Sequence, residues 1–169
     1  MIRIKQEFGG HSDDFSRYAM TKNEITASLC HAGTRARYWV IPEFDIPGIG
    51  RIDVVWAERN REKDALKSGA LWRPVAAFEV EGSDVWDSLE KDSQKLAVAH
   101  GRGAKVLAVV LYQVGDGRDG WDGHAPEGCV QKAQNRMGPT IEVTLDQDLP
   151  SRILEWVGKC DGRSDGASR

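Results

Sequence analysis

Pro74-Val75-Ala76-Ala77-Phe78-Glu79-Val80-Glu81-Gly82 decides how this chain is read. It is apolar enough for a strand packed on both faces, which normally runs as an unbroken hydrophobic series. Two glutamates interrupt that series. A charge inside such a strand costs several kcal/mol unless it is paired or bound to a metal. Side chains alternate across a strand, so Glu79 and Glu81 share one face while Phe78 and Val80 share the other. A second stretch, Gly50-Arg51-Ile52-Asp53-Val54-Val55-Trp56, repeats the anomaly with a single acid. If the two strands are neighbours, Asp53, Glu79 and Glu81 converge. Three converged carboxylates repel one another unless a divalent cation lies between them, which makes the trio a candidate metal site for phosphate chemistry.

Outward from these strands, periodicity and breakers order the chain. Residues 12–32 predict a helix, with Phe15, Ala19, Ile25 and Leu29 near helical spacing and Gly33 as its stop. Residues 38–41 form a first strand, which Pro42 confines to an edge or an end. Pro47-Gly48-Ile49-Gly50 turns into the second strand, 51–57, and the charged segment 58–67 leads through Ser68-Gly69 to the third, 75–81. Gly82-Ser83-Asp84 breaks that strand and caps a helix running to about His100. Residues 106–114 are almost wholly apolar, as a buried parallel strand requires, so this strand–helix–strand unit implies a right-handed crossover. A Gly/Asp-rich loop at 115–123 precedes a short helix at 128–136, a strand at 140–145 and a last helix at 150–158. The segment 161–169 reads as a disordered tail, leaving 1–160 as one domain.

Composition narrows the classes. A chain of 169 residues, 40% hydrophobic and 29% charged, can bury its own core. No apolar run approaches the ~20 residues of a membrane span and no signal-peptide core opens the chain, so no membrane partner is expected. Cys30, Cys129 and Cys160 form neither an even set nor a CxxC pair; they fit free thiols in a reducing compartment, and the cytoplasm is the expected location. A net charge of −3 means that any nucleic acid must be met by a local basic surface. Arg35 and Arg37 after the first helix, with Arg59, Arg61 and Lys63 between the acidic strands, are the expected backbone contacts. The loop 59–73 is expected to leave the mouth of the acidic site and to hold phosphates without reading sequence. Trp39, Trp56, Trp72 and Trp86 are assigned to the core by default, with base stacking as the alternative. The chain carries no zinc spacing, no calcium loop and no GxSxG, and Gly101-Arg102-Gly103-Ala104-Lys105 follows a helix, the wrong context for a phosphate loop.

Helix, three-stranded meander, helix and strand, with Asp53 on the second strand and Glu79-Val80-Glu81 on the third, resembles the PD-(D/E)XK nuclease superfamily over roughly residues 24–114. The resemblance implies an α/β restriction-endonuclease-like core, a mixed central sheet flanked by helices, and a Mg²⁺-dependent DNA nuclease that accepts Mn²⁺ as a substitute. Ile52-Asp53 stands at the "PD" position with Ile for Pro, and Glu81 stands where Lys is usual. Some members use Glu-x-Glu, and others carry the lysine on the following helix, where Lys91 and Lys95 lie one turn apart. The resemblance further implies Asp53 and Glu79 as metal ligands, Glu24 on the first helix as an additional acid, and a possible homodimer or protein partner. Glu81 then accepts a proton or binds a second ion, Lys91 or Lys95 steadies the attacking water or the phosphate, and Gln94 is a further point of likeness.

The same residues admit plainer accounts. Glu79 and Glu81 can be the solvated face of an edge strand, and Asp53 can pair with Arg51 or Arg73. Glu24 can be an ordinary helix-surface residue, and Lys91 and Lys95 with Asp87 and Glu90 a solvated charge face. The alternative function is a catalytically inactive nuclease-fold module for DNA binding or protein interaction.

Overall fold

The computed structural model describes residues 20–61, 71–82, 88–112 and 126–162. Helix α1 (Lys22–Arg35) starts at a capping box: the Thr21 hydroxyl accepts the Glu24 amide, and the Glu24 carboxylate accepts the Thr21 N–H at 2.8 Å. Phe15 and Ala19 of the expected helix lie outside the described residues. Gly33 is not the stop. It lies buried within the last turns, where a Cβ would stand 2.5 Å from Trp56 Nε1 and 2.7 Å from Val40 Cγ2. This close approach lets Trp56 Nε1 donate to the Leu29 carbonyl at 3.0 Å. Gly33→Ala is therefore expected to cost about 1–3 kcal/mol by overpacking. A urea midpoint that falls with an unchanged slope would show it.

The remaining elements are β1 (Trp39–Ile46), β2 (Gly50–Arg59), β3 (Trp72–Gly82), α2 (Leu89–Gly101), β4 (Val106–Tyr112), α3 (Pro126–Met137), β5 (Glu142–Leu145) and α4 (Leu149–Cys160). The helix start expected at Asp84 lies outside the described residues. The sheet runs β1-β2-β3-β4-β5, antiparallel among the first three strands and parallel across β3-β4 and β4-β5. The α/β class and the mixed sheet flanked by helices are as expected. Edge strand β1 extends through Pro42, whose missing N–H an edge tolerates.

Each face of the sheet buries its own core. Ile25 and Leu29 of α1 and Trp156 of α4 pack on Phe78, Val80 and Val110. Leu89 and Leu96 of α2 and Met137 of α3 pack on Val55, Ala77 and Val109. Strand β4 alternates between the two cores along its length, which is why its sequence is an unbroken apolar run. Since Phe78 and Val80 face α1, the intervening Glu79 and Glu81 point to the α2 side. A bulge sits lower in β3: Trp56 opposes Ala76, but Ala57 opposes Pro74, so Val75 is an extra residue. It reverses the alternation and puts Trp72 on the same face as Glu79.

Candidate metal centre

The β2–β3 ladder stops at Val54↔Phe78, and the strands then part. Beyond that point β2 stays with β1 (Ile52↔Phe44, Arg51↔Asp45), while β3 stays with β4 (Glu79↔Val109, Glu81↔Leu111). Asp53 stands in the fork. Its Oδ2 accepts the Val80 N–H at 2.7 Å, supplying the bond that the departing backbone no longer makes. One carboxylate oxygen each from Asp53, Glu79 and Glu81 then lie within 4.8 Å of one another. Glu79 is 1% exposed on an interior strand, so the solvated-edge account does not hold.

Two ammonium groups meet this cluster. Lys95 Nζ lies 2.8 Å from Glu79 Oε1 and 2.6 Å from Asp92 Oδ1, and donates to the Arg51 carbonyl at 2.9 Å. Lys22 Nζ lies 3.0 Å from Asp53 Oδ1, so neither Arg51 nor Arg73 is the ion-pair partner shown for Asp53; Arg73 pairs with Glu58 instead. Of the two candidate lysines on α2, Lys95 enters the site and Lys91 is exposed, as is Gln94. Glu24 falls outside the converged trio, and its carboxylate accepts from the Thr21 N–H and hydroxyl.

Lys22 and Asp92 were not foreseen, although each left a signal. Leu89, Asp92, Leu96 and Ala99 form the buried stripe of α2, so Asp92 occupies a core position in the helical period. Lys22 opens a helix, where the macrodipole disfavours a cation, so it needed a nearby anion. Asp92 is 1% exposed, and its Oδ2 has no hydrogen-bond partner among the described residues.

The charges do not balance. With all four carboxylates ionised, two negative charges are left beyond the two ammoniums, which a divalent cation would offset. Burial, then Asp92, pushes the Glu79 carboxyl up to about 9 despite Lys95. Burial, then Asp92, pushes Glu81 up to about 7 against the pull of Lys22 and a hydrogen bond from Ser88. For Lys95, burial acts downward, but Asp92 and Glu79 together outweigh it and raise the ammonium. The three carboxylates of Asp53, Glu79 and Glu81 could hold a metal ion.

This electrostatics has a pH signature. The folded state holds protons on Glu79 and Glu81 that the unfolded chain releases near 4.5, so the metal-free protein loses stability as pH rises from there through about 7 and about 9. Cation binding displaces those protons, so the increase in melting temperature with Mg²⁺ should grow over the same interval. Thermal melts with and without the ion across this range check both slopes.

The basic residues need a correction: the described ends of the loop 59–73 lie away from the acidic site. Asp53 lies near the start of β2 and Arg59 at its end, six residues on, about 20 Å at the rise of a strand. Arg59 and Arg61 therefore lie at the far end of the sheet, as do Arg35 and Arg37, which flank the entry to Trp39↔Ala57. All four are exposed, and Lys63 lies outside the described residues. No protein-family model, curated protein or solved structure matches the chain. Among the described residues no helix is long and apolar enough to cross a membrane.

Proposed function

We propose that the protein is a divalent-metal-dependent DNA nuclease with a restriction-endonuclease-like core, in which Lys95 of α2 serves where the Glu-x-Glu motif lacks its lysine. The observation that carries this reading is the convergence of Asp53, Glu79 and Glu81 in the strand fork with the Lys95 ammonium 2.8 Å from Glu79. Mg²⁺ or Mn²⁺ would be held by Asp53 and Glu79, and bound there it supplies charge neutralisation at the scissile phosphate and an acidified attacking water.

The protein's own groups do the rest. Glu81 is half-buried and titrates at about 7, so it can take up a proton near neutral pH. Lys95 is fixed by three oxygen partners and presents a positioned point charge, which costs no reorganisation when charge develops beside it. Lys22 blocks Asp53 Oδ1 and must swing away for that oxygen to bind an ion. Its side chain is 42% exposed, so the freed ammonium can meet an incoming phosphate.

End-labelled duplex, single-stranded, branched and flapped DNA, each incubated with Mg²⁺ or Mn²⁺, tests the reading. Cleavage of at least one form, abolished by chelator, is expected. Cation binding without cleavage of any form would leave the inactive module.

A further inference from the structure

We infer that the end of the sheet opposite the carboxylates is a stacking site for single-stranded nucleic acid, built from Trp39, Trp72 and Arg59. This deepens the nuclease reading and rests on it for its role, although the binding itself does not require the metal.

Trp39 and Trp72 come from strands that are not neighbours. They meet across Ala57 and stack, with ring centroids 4.8 Å apart and planes 20° apart. A stacked tryptophan pair normally marks a core. Here Trp39 is 57% exposed and Trp72 42% exposed, whereas Trp56 and Trp156 are fully buried. Arg59 lies directly opposite Trp72, and opposed residues of an antiparallel pair project to the same side. Exposed Arg59 therefore projects to the same side as Trp72. Exposed Arg37 precedes Trp39, and exposed Arg61 follows the strand.

The sequence assembles this surface at some cost. The bulge at Val75 is what turns Trp72 to this side of β3; without it the ring would join the Phe78 core. Glu58, the nearest acid along β2, opposes Arg73 and is held by it in an ion pair, which leaves Arg59 as the charge next to the rings. Flat aromatic faces with an exposed arginine on the same side match a chain of bases joined by phosphates. Duplex DNA hides its base faces, so the occupant is single-stranded.

Place in the fold strengthens the choice. The platform and the carboxylates lie toward opposite ends of the β2–β3 pair. The separation of about 20 Å is that of roughly six stacked nucleotides at 3.4 Å each. A strand gripped at the platform can thus present a phosphate at the acidic fork.

The test is binding of a labelled oligothymidylate of about ten nucleotides in chelator, read by anisotropy and by quenching of tryptophan emission. The wild type should bind with quenching. Trp72→Ala and Trp39→Ala should each weaken binding about ten- to a hundred-fold, and Trp72→Phe should recover most of it. Arg59→Ala should lower the salt slope by about one. Because both rings are exposed, the variants should keep the wild-type circular dichroism. Unchanged affinity in both Trp→Ala variants would overturn the inference, as would concentration-dependent self-association that Trp39→Ala abolishes. Glu79→Gln separates the two claims: it should bind the oligonucleotide as wild type does even if no DNA is ever cleaved.

Discussion

Glu79→Gln is expected to abolish divalent-cation binding and to reduce DNA cleavage about a thousand-fold or more, while the metal-free protein keeps its fold. The amide has the same shape as the carboxyl but no charge to offer an ion. Burial is the largest influence on Glu79 and already favours its neutral form up to about pH 9. Near pH 7 the variant should therefore melt close to the wild type without metal. Above pH 9 the wild type must carry the charge in a buried site, so the variant should melt higher. Asp53 differs because it has a structural duty. Asp53→Ala orphans the buried Val80 N–H and should cost about 1–3 kcal/mol, whereas Asp53→Asn retains an acceptor and isolates the loss of the ligand. Since both acids act through one ion, the double variant Asp53→Asn/Glu79→Gln should cleave no worse than either single one. Melting curves and single-turnover cleavage, run on the same preparations, separate the two effects.

Lys95→Ala should slow cleavage about 10²–10³-fold and destabilise the protein by about 3 kcal/mol near pH 8, whereas Lys91→Ala should change neither. Lys95 is 12% exposed and holds Glu79, Asp92 and the Arg51 carbonyl together. Its removal takes the shared ammonium from Glu79 Oε1, Asp92 Oδ1 and the Arg51 carbonyl, and Asp92 Oδ2 has no hydrogen-bond partner among the described residues. The stability loss should grow as pH rises toward about 9, where Glu79 ionises without the ammonium that favours its charge. Equal cleavage by the two alanine variants would remove Lys95 from the chemistry.

Much of this arrangement was legible because strands alternate. Acids at Glu79 and Glu81 inside an apolar run could be placed on one face without coordinates, and Asp53 in a similar run implied a neighbour. The apolar series from Val106 predicted a strand covered on both faces. The fork itself was not legible. Strand separation after Val54↔Phe78 depends on which partner each backbone keeps, and no side-chain pattern records that choice. The site of the basic loop was misjudged for a related reason. A hairpin carries its connection at one end only, and acids near the start of β2 had to lie at the other. Gly33 was read as a terminator when its role is to let α1 approach Trp56. The capping box of Thr21 and Glu24 starts α1 later than the longer apolar period implies.

Titration calorimetry of the metal-free protein with Mn²⁺ at about pH 8, where Glu81 is ionised, asks the central question most directly. One ion per chain should bind to the wild type and to Lys91→Ala, with proton release that scales with the ionisation heat of the buffer, and none should bind to Glu79→Gln. No binding by the wild type, or the same binding by Glu79→Gln, would contradict a metal centre at Asp53, Glu79 and Glu81.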